Sequence, residues 1–129
     1  MGKKQNRVLL FKRVFEELFH ESDESLFFED VKDSLEEENM DIINADFNEL
    51  NSKKDELLGL IANTSTDFDI ERIFKVDLAI LLVATFELKY RPETPYKVVV
   101  NEAVNIAKKY STDKSYAYIN GVLAKIINN

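Results

Sequence analysis

The sequence has no cysteine, one histidine, two prolines and three glycines among 129 residues. Without cysteine there can be no disulfide, thiolate nucleophile, zinc–thiolate site or iron–sulfur cluster, and nothing marks an oxidising compartment. His20, between Phe19 and Glu21, has no second histidine to complete a metal site and is the only ordinary base for a serine nucleophile. Gly2, Gly59 and Gly121 are too scattered for a phosphate-cradling loop. The longest apolar run, Leu78 to Ala84, falls far short of the ~20 residues that span a bilayer. The basic start leads into only Val8-Leu9-Leu10-Phe11, too short for the apolar part of a signal peptide. Carboxylates such as Glu36-Glu37-Glu38 sit in a run expected to be solvated, which argues against paired acid–base work. These absences predict a cytoplasmic binding protein with no membrane segment, metal or cofactor, and not an enzyme.

What is present fits one domain, residues 1–129, long enough to bury a core without disulfides. The net charge of −7 weighs against nucleic acid, because phosphate contacts need lysine and arginine. The charge is unevenly spread, however. Residues 1–20 carry five basic against two acidic side chains, residues 21–71 three against seventeen, and residues 72–129 nine against five, or +3, −14 and +4. If the two basic ends meet in the fold, an acidic protein acquires a positive face. The acidic middle also fits a plain solvated helix surface.

Apolar residues recur at helical spacing almost throughout and nowhere alternate long enough for a strand, so the fold class is all-α, with about seven helices. Val8, Phe11, Phe15 and Leu18 form a first stripe, and Phe27, Val31 and Leu35 a second. A third helix is expected from about Asp41 to Ile61, and a short turn through residues 71–74. From Val76 to Tyr90 the chain is apolar on nearly every side, which predicts a central helix that the others surround. Arg91 to Pro95 ends it, with Thr94 as N-cap and Pro95 as first residue of the next helix, which runs to Tyr110. The last helix begins near Thr112 or Asp113. Gly121 inside it costs roughly 1 kcal/mol relative to alanine, which points to close helix approach, an accidental surface glycine being the alternative.

All five tyrosines lie after residue 89 and all nine phenylalanines before it. The tyrosines alternate with lysines, as in Lys108-Lys109-Tyr110 and Lys114-Ser115-Tyr116-Ala117-Tyr118. Cations beside rings suit single-stranded nucleic acid, whose bases stack and whose phosphates need charge. The pattern equally fits half-buried tyrosines among solvated lysines.

The order of residues from Val76 onward resembles the NusB family of bacterial transcription antitermination factors. The stretch comprises Val76-Asp77, Ala84-Thr85-Phe86-Glu87-Leu88, Pro95-Tyr96-Lys97-Val98-Val99-Val100-Asn101-Glu102-Ala103-Val104, Ala107-Lys108-Lys109-Tyr110, Asp113-Lys114-Ser115 and Tyr118-Ile119-Asn120-Gly121-Val122-Leu123. The resemblance implies a compact bundle of two three-helix groups joined by a short helix. It implies a binding function: holding single-stranded boxA RNA as a heterodimer with NusE, a small-subunit ribosomal protein, within the RNA polymerase antitermination complex. It places the RNA surface on Lys3, Lys4 and Arg7 at one end and Tyr110, Lys114, Ser115 and Tyr118 at the other. The NusE-facing surface falls on Phe19, Glu71 and Asp77. Asn101, Asn120 and Gly121 fit a scaffold role. The sequence departs from the family pattern in a thin N-terminal arginine cluster and in Leu78, Leu82 and Ser111. Those departures leave room for a helical adaptor that binds only protein.

Overall fold

A computed structural model describes residues 4–18, 37–64 and 73–128, with side chains over 6–18, 41–64 and 73–128. The described residues form six helices and no strand: α1 (Lys4–Leu18), α2 (Glu37–Ser52), α3 (Lys54–Thr64), α4 (Lys75–Tyr90), α5 (Tyr96–Tyr110) and α6 (Ser115–Asn128). The all-α expectation is met. The stripe at Phe27, Val31 and Leu35 and the first half of the expected turn, Glu71 and Arg72, lie outside the described residues.

The centre is α4, where every residue from Asp77 to Glu87 is buried, as its unbroken apolar character predicts. The other five described helices each pack against it. From α1 come Leu10, Phe11, Val14 and Phe15, and from α2 and α3 Phe47, Leu50, Leu57 and Ile61. Val99, Ala103, Ile106 and Ala107 of α5 and Ile119, Val122 and Leu123 of α6 close the other side. Burying this much aliphatic and aromatic surface, at ~25 cal/mol per Å², is what drives collapse.

Three boundaries differ from expectation. The helix expected over 41–61 is two helices, broken at Lys53. There the Ser52 hydroxyl donates to the Glu49 carbonyl at 2.6 Å, and the Lys53 N–H turns back to Leu50 at 3.0 Å while its carbonyl receives the Leu57 N–H. Serine competes for helical carbonyls in this way, and so favours helix ends. Pro95 is not the first residue of α5. Its ψ of 138° is extended, and its carbonyl receives the Val98 and Val99 N–H groups, which makes it the cap. The last helix starts at Ser115, because Thr112 is held outside it by hydrogen bonds to the Ser115 hydroxyl.

Polar links tie the end of α4 to α2 and α3. Arg91, at the end of α4, reaches Asp46 at 2.9 Å and Glu49 at 2.7 Å on α2. Tyr90 donates to Glu56 on α3, and that carboxylate holds the phenol above its ordinary pKa. No described helix is long and apolar enough to cross a membrane.

Candidate nucleic-acid interface

The two basic ends do meet, at Tyr110 as the sequence suggests, but the N-terminal partner is Lys12 and not Arg7. Tyr110, the last residue of α5, lies with its ring 5.5 Å from Phe11 of α1. The Lys12 ammonium sits 5.0 Å from the centre of that ring and the Lys109 ammonium 5.3 Å, so one ring has two cations within cation–π range. Lys12 is buried apart from a small fraction, its stem lying along the core. It was not a sequence candidate; its i+1 relation to Phe11 in the first stripe was the available signal.

Beyond Tyr110 the chain turns through Ser111 to Lys114 into α6, and Asp77 holds the turn. The Ser111 hydroxyl donates to Asp77 Oδ1 at 2.6 Å and the Ser115 hydroxyl to Oδ2 at 3.0 Å. With Ser115 committed as donor, the Thr112 hydroxyl 2.8 Å away must donate to it. The carboxylate thus fixes two turns of chain to the first turn of α4. There a negative side chain is also favoured by the helix dipole.

Around this network lies a cleft of about 310 Å³ lined by Ile73, Phe74, Asp77, Thr112, Lys114, Ser115 and Tyr118. Phe74 is 55% exposed at its mouth, an aromatic the sequence offered only as part of a short turn. Lys114 is exposed beside it. Tyr118 is half-buried, and burial, with Asp77 nearby, raises the pKa of its phenol.

Several expected site residues occupy other positions. Arg7 is buried; its Nε–H is 2.9 Å from both carboxylate oxygens of Glu87, and the two side chains are 4% and 1% exposed. It lies about 15 Å along α4 from Asp77, given the ~1.5 Å rise per residue, so it neither reaches the Lys114 edge nor presents its charge to solvent. Asp77 is likewise buried, not facing outward, and Ser115 is buried with its hydroxyl spent. Lys4 opens α1, its side chain outside the described set; Lys3, Phe19 and Glu71 lie outside the described residues. Gly121 is exposed, with nothing within 4 Å of where a Cβ would stand, so close helix approach is not its reason. Asn101 and Asn120 are exposed on a groove and do not bridge α5 to α6 as scaffold. Among the described residues no cluster of His, Asp or Glu could hold a metal ion.

The described residues define an all-helical protein with lysines and tyrosines at the end of α5 and the start of α6. The chain belongs to the NusB family, whose model matches residues 4–128. It is similar to the transcription antitermination protein NusB of Lachnoclostridium phytofermentans, 38% identical over 132 residues covering 99% of this chain and 100% of the relative. The same protein of Agathobacter rectalis is 37% identical over 130 residues, covering 97% and 98%. Among solved structures, NusB of T. maritima superposes with a TM-score of 0.80 at 21% identity, covering 100% of this chain and 93% of that one. A crystal structure of the antitermination factors NusB and NusE in complex with double-stranded RNA gives 0.78 at 22% identity, covering 97% and 95%.

Proposed function

We propose that this chain is a transcription antitermination factor that holds single-stranded, boxA-like RNA as a heterodimer with NusE, a ribosomal protein, and acts within the RNA polymerase antitermination complex. The observation that carries the reading is the exposed Lys114 beside Phe74 and half-buried Tyr118 at the first turn of α6, with the exposed Lys109 over the Tyr110 ring at the end of α5. A cation over a ring offers a phosphate contact next to a stacking surface, which is what a flexible strand needs. In this reading Lys114, Tyr110 and Tyr118 meet the strand, Lys3 and Lys4 add phosphate contacts, and Asp77 and Ser115 position the first turn of α6. Arg7 supports the fold through Glu87. Phe19 and Glu71 take part in binding NusE, and the exposed Phe74 adds an apolar contact; an acidic group suits a basic partner.

Terminator read-through tests the function. Added with NusE to RNA polymerase transcribing a template with a boxA-like element ahead of a terminator, the chain should raise read-through, and the Lys114→Glu variant should not. Equal read-through without the chain would refute the proposal. One observation favours a second reading, a protein-only adaptor: the burial of Arg7 removes a cation from an already thin N-terminal set. Association with NusE and no RNA affinity in the heterodimer would establish it.

A further inference from the structure

A second aromatic and basic surface lies away from the Lys114 edge. Between α5 and α6 runs an open groove of about 650 Å³. The helices run antiparallel, so Tyr96 and Lys97 share one end with the last turn of α6, while at the other end the Lys108 ammonium stands 5.3 Å from the Tyr116 ring. Lys97, Asn101, Val104 and Lys108 follow the i, i+3/i+4 spacing of one helix face, and Tyr116 and Asn120 do so opposite.

Three observations indicate what this groove takes. Tyr96 and Tyr116 are 52% and 42% exposed, whereas Tyr90, Tyr110 and Tyr118 pack against the core. Not one residue lining the groove is acidic, on a chain with 24 acidic side chains, and among the described residues neither Lys97 nor Lys108 forms an ion pair. Asn101 and Asn120, exposed at its middle, offer the donor and acceptor pairs that base edges require. Cations without carboxylates suit a polyanion, exposed rings with lysines at both ends of the groove suit bases and phosphates, and the aliphatic floor supports flat rings. The two tyrosines stand ~18 Å apart along the α5 axis, room for about five nucleotides at the ~3.4 Å spacing of a stacked strand.

We propose that the α5/α6 groove is a second docking surface for single-stranded RNA, receiving nucleotides of the same strand that lie outside the segment held at the Lys114 edge. This rests on the RNA-binding reading above. Tyr116 and Tyr118, two positions apart on α6, look into different clefts. A strand reaching both passes around the first turn of α6, where Lys114 is exposed.

The test is fluorescence anisotropy on the full chain with NusE, using a boxA-like strand and the same strand extended by a run of uridines on either side. Tyr96→Ser/Tyr116→Ser and Lys97→Glu/Lys108→Glu alter exposed side chains, and a thermal melt checks that both fold. Each should weaken the extended strand by about tenfold or more and the short strand by no more than about twofold, as expected for loss of base stacking and phosphate contacts. Unchanged affinity for the extended strand overturns the proposal, as does wild-type protein binding the extended strand no more tightly than the short one. If Lys114→Glu weakens both probes while the groove variants weaken neither, only the groove falls. If the wild-type heterodimer binds neither probe, the underlying reading falls with it. Groove variants that loosen NusE and leave RNA affinity intact would make this a protein surface and refute the assignment.

Discussion

Replacing Arg7 with methionine should be among the most damaging single changes in the protein, and the damage should depend on pH. The wild-type pair is almost fully buried, with Arg7 Nε 2.9 Å from each Glu87 oxygen. Removing one member of a buried pair strands the other charge, at a cost of about 3–5 kcal/mol. For a chain of this size that lowers Tm by roughly 10–18 °C at pH 7. Burial already raises the Glu87 pKa above its ordinary 4.5, with Arg7 pulling it back down. A carboxyl raised in the folded state binds its proton more readily folded than unfolded, so its contribution to stability is lost as pH rises from the ordinary value through the raised one. Without Arg7 the folded value rises further. The variant's deficit relative to wild type is therefore greatest near neutrality and shrinks towards pH 4.5, where Glu87 is neutral in the fold. Melting curves followed by circular dichroism at both pH values read this directly, and Arg7→Met/Glu87→Met should recover most of the loss. A variant that melts within about 2 °C of wild type at pH 7, where at least 10 °C is expected, or loses the same amount at both pH values, would refute the reasoning.

Other outcomes follow from the same geometry. Asp77→Ala removes the acceptor of both the Ser111 and Ser115 hydroxyls; urea unfolding should show a loss of about 2–3 kcal/mol, with Asp77→Asn intermediate. RNA affinity should fall with it, because the first turn of α6 loses its anchor. Gly121→Ala places a methyl in open space on a helix, so it should raise stability by about 0.5–1 kcal/mol; a loss in the same melt would restore the idea of close helix approach. If about four phosphates are neutralised, log K should fall with log[salt] with a slope near −3, and Lys114→Glu should make that slope shallower by at least ~0.7.

How far the residues alone could disclose this is clearest in particular elements. α4 was legible because a helix apolar on every side has few places to go except the centre. The interruption at Lys53 was not, since the apolar spacing continues across it and only Ser52's bond to Glu49 marks the break. Lys114 stands on the surface as expected from its company of tyrosines. Arg7 and Asp77 were misplaced for one shared reason: a charged residue reads as exposed until its partner is known, and their partners lie 80 and 34 to 38 positions away. Tyrosine divides the same way. Helical phase in a short stretch could not tell half-buried Tyr110 and Tyr118 from exposed Tyr96 and Tyr116, because packing of α5 on α6 decides it.

The central claim, that this chain holds a single RNA strand together with NusE through the edge at Lys114, meets its most direct test in a titration of a short boxA-like strand. The wild-type heterodimer should bind more tightly than the chain alone, and Lys114→Glu should weaken that binding without lowering Tm. Identical RNA affinity for wild type and Lys114→Glu, with NusE bound to both, would contradict it.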